Sequence, residues 1–174
     1  MALLTIREIG DPILEKKAKE VKEMTPRLKE LVKDMLETMY DANGVGLAAP
    51  QVGILKRIVV IDVSPEQNDP HVFVNPVIVE QDGEQDGMEG CLSVPGKIGE
   101  VIRPAHVKTR ALDENMQPFE IEGTELFARC MCHEFDHLDG VLYTTRTIGG
   151  LMDTDAPEEE EDEDDIEEED GDSE

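Results

Sequence analysis

Apolar residues recur at helical spacing in two stretches of the chain. In the first, Leu28, Leu31, Val32, Met35, Leu36, Met39 and Tyr40 form one stripe, and Lys29, Glu30, Lys33, Asp34 and Glu37 cover the opposite face. This pattern predicts an amphipathic helix over 25–42 that packs one side against a core. Thr25 suits the N-cap, Pro26 the first helical position, and Asn43-Gly44 the stop. The second stretch, 124–140, carries two stripes. Leu126, Cys130, His133 and His137 share one, and Phe127, Met131, Phe135 and Leu138 make another. A helix apolar on two sides is buried on two sides, so this one is predicted to run through the middle of the protein.

Between the helices lies a glycine-punctuated stretch, "GVGLAAPQVG" (44–53). Strands are predicted over 57–63 and 71–80, the second interrupted or edged by Pro76. A polar turn follows, then "EQDGMEGCLSVPG", then three more strands near 99–104, 106–113 and 117–123. The expectation is an α+β fold: mostly antiparallel strands around a central helix, with a longer N-terminal amphipathic helix outside.

Composition changes the picture at the C-terminus. The 174 residues fit one domain, but 39% hydrophobic is below a typical globular share. The chain has 42 acidic and 16 basic side chains, a net of −26; residues 158–174 alone hold 14 of the acidic ones and no basic one. The expectation is one folded domain over 1–152 and an acidic tail over 153–174 too charged to bury a core. Without residues 158–174 the chain still has 28 acidic against 16 basic side chains. Such a surface repels phosphate backbones and argues against direct DNA binding. "MALLTIREIG" is too short and too quickly charged for a signal peptide, and no apolar run approaches the roughly 20 residues that span a bilayer. A cytoplasmic protein with no membrane contact is expected. In a reducing compartment, Cys91, Cys130 and Cys132 are thiols or metal ligands rather than a disulfide framework.

The candidate chemistry sits in "HEFDH" (133–137). His133 and His137 are one helical turn apart and can converge on one ion. Glu134, offset by one residue, can reach a water activated there without binding the ion itself. A catalytic site of this kind wants three protein ligands and an open position. No histidine follows His137, so the third ligand should lie upstream. Cys91, in a glycine-bearing turn that enters an extended segment, is the best candidate. Cys130 shares the histidine stripe and can line a pocket wall, whereas Cys132 points away from it toward the core. His71 and His106 sit in strand-like surface contexts and are set aside as ligands.

Three separated stretches, "GVGLAAPQ" (44–51), "EGCLS" (89–93) and "HEFDHLDG" (133–140), together resemble the signature motifs of the peptide deformylase family in order and spacing. The resemblance implies removal of the formyl group from N-formylmethionyl nascent peptides, with transient contact to the ribosome. It implies that Cys91, His133 and His137 bind one divalent metal, Fe2+ in the cell, for which Zn2+, Ni2+ or Co2+ can substitute. The central helix is then a metal-binding helix. Glu134 becomes the general acid/base, and Gln51 with the Leu92 backbone N–H the oxyanion donors. Gly44, Val45, Gly46, Glu89 and Gly90 are assigned to the substrate, with Leu126 and Cys130 in the wall of its methionine pocket. Arg103 and Asp136 form a pair that orients the site. One departure is Cys132, where the family often has glutamine. A zinc endopeptidase with a carboxylate third ligand, and an acidic binding module with an inert metal site, are the competing readings.

Overall fold

The computed structural model describes residues 2–154. The expected acidic tail therefore lies, from residue 155 onward, outside the described residues. Two α-helices, α1 (Pro26–Asp41) and α2 (Glu125–Leu138), accompany eight strands: β1 (Gly46–Ala48), β2 (Ile58–Ile61), β3 (His71–Asp82), β4 (Gln85–Cys91), β5 (Val94–Arg103), β6 (His106–Leu112), β7 (Pro118–Thr124) and β8 (Ile148–Asp153). The strands form a five-stranded sheet, β1-β2-β3-β6-β7, and a three-stranded sheet, β4-β5-β8. Every named pairing is antiparallel. The expected mixture of antiparallel strands and two helices is present.

The five-stranded sheet is covered on both faces, and β2 shows why. All four residues of "IVVI" are buried. Val59 and Ile61 join Phe73, Val107 and Ala111 against Ala128, Met131, Phe135 and Leu138 of α2. Ile58 and Val60 join Leu47 and Val74 against Val32, Met35 and Met39 of α1. A strand buried on both faces reads as a continuous apolar run, because alternate side chains go to opposite cores. Phe73 sits at the centre of the α2 side, with ring centroids 5.4 Å from Phe135 and 5.9 Å from Phe119.

Thr25 caps α1 by accepting a hydrogen bond from Leu28 N at 3.2 Å. The stop lies at Asn43, which adopts a left-handed φ of 61°, a conformation asparagine tolerates better than most residues. Pro76 does not end β3; the register with β6 shifts between Val74 and Val77, so the proline falls in a bulge. At that bulge Asn75 has φ 51°. Its side-chain amide donates to Val21 O at 2.8 Å, and its Oδ1 accepts from Val21 N at 2.9 Å. The bulge thereby ties the segment before α1 to the sheet.

Three strands were not foreseen: β1, β4 and β8. β8 lies on the edge of the small sheet, all six residues exposed, held by register with β5 and by a Lys97–Asp153 ion pair. Thr154 N donates to Gly96 O at 3.0 Å. The pairing of β8 with β5 thus extends to Asp153.

Asn75→Ala should remove both bonds to Val21 and leave a non-glycine residue at positive φ. A loss of about 2–3 kcal/mol in urea unfolding is expected; a loss under about 0.5 kcal/mol would contradict this role.

Candidate active site

The site assembles where the small sheet meets α2. Cys91 is the last residue of β4, just before a two-residue turn, Leu92-Ser93, that leads into β5. His133 and His137 lie one turn apart on α2, both buried. Gln51 is set by a short helical turn, Ala49–Val52, whose backbone is tied to the N-terminal segment by Arg7 N donating to Gln51 O at 2.7 Å.

The ligand-capable atoms of Cys91, His133 and His137 all lie within 4.8 Å of one another. Cys91 Sγ is 3.4 Å from His137 Nε2. A thiol and two imidazoles are donors that suit a divalent ion of the zinc or iron type, so this group could hold a metal. It is the one such group among the described residues; His71 and His106 lie outside it.

Around His133 the polar contacts are dense. Its Nδ1 is 2.9 Å from Glu89 Oε1, which leaves Nε2 for the ion. Glu89 also accepts from Arg103 Nε at 2.7 Å, Arg103 Nη2 at 2.9 Å and Arg129 Nη1 at 2.8 Å. Arg103 Nη1 reaches Asp136 at 3.0 Å, which is the pairing expected from the sequence, and Arg146 Nε closes on Asp136 at 2.7 Å. The expectation that Glu89 touches substrate is corrected. Its side chain is only 3% exposed and both oxygens are filled by Arg103, Arg129 and His133, so no free lone pair is directed at the cleft.

These contacts sort the charges. Burial opposes ionisation of Glu89, but hydrogen bonds from Arg103 and His133 outweigh it and hold its pKa at about 2. Burial pushes Glu134 up to about 7, with the Glu89 carboxylate adding to the rise. Burial pushes His137 well down, whereas for His133 the Cys91 and Glu89 contacts overcome burial and raise it. Two buried carboxylates, Glu89 on β4 and Glu134 on α2, are thus separated: one stays ionised, the other is poised near neutrality.

Glu134 and the glycine loop fit each other. A Cβ on Gly46 would stand 2.6 Å from Glu134 Oε2, and one on Gly44 would stand 2.7 Å from Leu92 Cδ1. Glycine at 46 is therefore a matter of space. Glu134 Oε1 is buried with no hydrogen-bond partner among the described residues, a position suited to a substrate or water proton. A cleft of about 380 Å³ runs past it, lined by Gly44, Val45, Gly46, Gly90, Cys91, Leu92, Pro95 and Lys97 among others. A larger apolar groove of about 900 Å³, between 19–25 and α1, contains none of these side chains.

Gln51 is 1% exposed. Its Oε1 accepts from Ala48 N at 2.9 Å, while its Nε2 faces Ser93 Oγ at 3.0 Å and Cys91 Sγ at 3.6 Å. Leu126 is half-exposed and Cys130 buried; neither lines the 380 Å³ cleft. Cys132 packs in the core around α2. Sequence reasoning missed Arg129, which sits one turn before His133, and Tyr143, whose ring centroid is 5.6 Å from that of His133. The i, i+4 spacing of Arg129 to His133 was the available signal.

A cysteine at a strand end and two histidines on a buried helix, with a near-neutral glutamate beside them, define a metallohydrolase-type site. The polypeptide deformylase family model matches residues 3–150. A peptide deformylase of Agathobacter rectalis is 63% identical over 153 residues, covering 88% of this chain and 95% of that relative. One from Lachnoclostridium phytofermentans is 56% identical, covering 92% and 98%. The crystal structure of a peptide deformylase from Legionella pneumophila superposes with a TM-score of 0.82 at 44% identity, over 85% of this chain and 88% of that one. The chain belongs to the polypeptide deformylase family. Its activity is that of the family: a metal-dependent hydrolysis that removes the N-formyl group from the N-terminal formyl-methionine of new polypeptides and releases formate.

Gly46→Ala should displace the Glu134 carboxylate and lower kcat/KM about 100-fold while the fold is kept; undiminished turnover would contradict the spacing argument. Glu89 predicts a pH effect. Its folded pKa lies below the unfolded value, so its contribution is present above about 4.5 and is lost as pH falls toward about 2. The depression corresponds to roughly 3 kcal/mol. Glu89→Gln should therefore flatten the stability–pH curve between those values by about one proton, measured by denaturant unfolding at each pH. A slope equal to wild type would count against the assignment.

Proposed function

We propose that Cys91 Sγ and the Nε2 atoms of His133 and His137 hold one divalent ion per chain, Fe2+ in the cell, with Zn2+, Ni2+ or Co2+ able to replace it. The observation that carries this is the convergence of those three donors next to an unpartnered Glu134 oxygen. When bound, the ion supplies Lewis acidity that brings the pKa of a water toward neutrality. On this reading α2 is the metal-binding helix, and α1 supports the sheet from the opposite face.

The chain's own residues then divide the work. Glu134, with its pKa near 7, takes a proton from the attacking water and returns it to the leaving amine nitrogen. Gln51 Nε2, already directed toward Cys91, donates to the oxygen on which charge develops, together with the Leu92 backbone N–H. Each such donor is worth about 3 kcal/mol. The substrate backbone lies extended along Gly44, Val45, Gly46 and Gly90, which line the cleft. Its methionine side chain goes toward Cys130 and Leu126, on the helix face one and two turns before His133. Residues 1–152 form the catalytic unit and 153–174 an acidic tail. The protein works in the cytoplasm on N-formylmethionyl chains, in transient contact with the ribosome and without binding DNA or membrane. No helix among the described residues is long and apolar enough to cross a membrane.

Formyl-Met-Ala and an internally cleavable peptide, assayed side by side for formate and for fragments, separate this reading from an endopeptidase. Formate alone is expected. Cys91→Ser should strip the ion. Glu134→Gln should retain the ion yet lose about 10²–10⁴-fold in kcat. Retained turnover in Glu134→Gln, or full metal content in Cys91→Ser, would overturn the assigned roles.

A further inference from the structure

We propose that Arg129 is a positioning residue for the metal centre: through Glu89 it fixes both the ring of His133 and the distance between α2 and the strand that carries Cys91. The inference rests on the reading of Cys91, His133 and His137 as the ligands.

The ligands come from two elements. His133 and His137 are on α2, and Cys91 ends β4, so the spacing between helix and strand decides whether three donors meet. Glu89 lies on β4, two residues before Cys91. Its carboxylate bridges two residues of α2 that are one turn apart: Arg129 Nη1 on Oε2 at 2.8 Å and His133 Nδ1 on Oε1 at 2.9 Å. Helix and strand are therefore clamped at two points on the same helix face. Arg103 adds a separate link on the other side of His133: from β5 its Nε and Nη2 donate to Glu89 and its Nη1 to Asp136 of α2. Arg129 is the residue that ties Glu89 to the helix turn before His133.

Arg129 is built into its place. The same Nη1 donates to Val101 O on β5 at 3.0 Å, and Nη2 lies 3.4 Å from Gln85 O on β4. Its side chain is 8% exposed. Gly87 provides the room, since a Cβ there would stand 3.0 Å from Arg129 Nη2. A planar fork with several donors can hold a carboxylate and a carbonyl at once; an ammonium cannot reproduce that geometry. Partners of metal-bound histidines set ring orientation, and their loss commonly lowers metal affinity 10–100-fold.

The test uses full-length, Zn2+-loaded protein and follows zinc release into excess chelator. Arg129→Met should release zinc about 10-fold or more faster than wild type. Arg129→Lys should fall between the two. Gly87→Ala, which keeps every charge but crowds the guanidinium, should move in the same direction by a smaller factor. KM for formyl-Met-Ala should stay within about twofold while kcat falls. Arg110→Leu, which breaks an exposed pair with Glu120, should leave release unchanged. If Arg129→Met does not fold, Arg129→Lys and Gly87→Ala carry the test. Wild-type release rates in the folded variants would overturn the inference and leave the ligand assignment standing. A Cys91→Ser variant that keeps its zinc would overturn the ligand assignment, and the inference with it.

Discussion

Glu89 is a carboxylate almost closed to solvent, and a buried charge of this kind persists only when its partners replace water. Four hydrogen bonds from Arg103, Arg129 and His133 do so. The consequences run in two directions. Toward the core, the bonds join β4, β5 and α2, so the small sheet is locked onto the central helix. Toward the site, they fix which nitrogen of His133 carries the proton and which faces Cys91. The remaining charges follow: Asp136 and Arg146 extend the network, while Glu134, one residue after His133, is left with burial dominating and a pKa near 7.

The cleft adds a steric constraint to this electrostatic one. Gly46 leaves room for the Glu134 carboxylate, and Gly44 leaves room for Leu92. Glu134 and the glycine loop are therefore fitted to each other, and the wall of the cleft is also what holds the Glu134 carboxylate in place. Gln51 belongs to the same arrangement, its amide held between Ala48 and Ser93. A peptide bound along this wall would reach a site whose polar groups are already oriented, which is how such sites stabilise developing charge without reorganising at the moment of reaction.

Much of this was legible in the sequence, for physical reasons. The stripes of 28–40 and 126–138 report burial directly, because helical period and core contact are the same fact seen in two ways. The strand runs at 57–63 and 71–80 were equally plain. β4 was not, since "QDGMEGC" has two glycines and no β-branched residue, and its pairing is imposed by β5. β8 was hidden for a similar reason: "IGGLMD" is exposed along its whole length and takes its form from its neighbour. At the site, Cys91, His133, His137 and Glu134 were identifiable as residue types at telling positions, and Gln51 through the resemblance of its motif. The Arg103–Asp136 pair was also anticipated. Arg129 was not, because an arginine on a helix ordinarily reads as a solvated charge. Glu89 was assigned to the substrate with the rest of its "EGCLS" motif. Only the fold reveals that its carboxylate turns inward to two guanidinium groups.

In the proposed site one thiolate from β4 and two imidazoles from α2 meet on a single ion. X-ray absorption on anaerobically purified, full-length protein tests it most directly. One metal per chain is expected, with one sulfur scatterer at about 2.3 Å and two histidine nitrogens at about 2.0–2.1 Å. A first shell with no sulfur, or with carboxylate oxygen in its place, would contradict it.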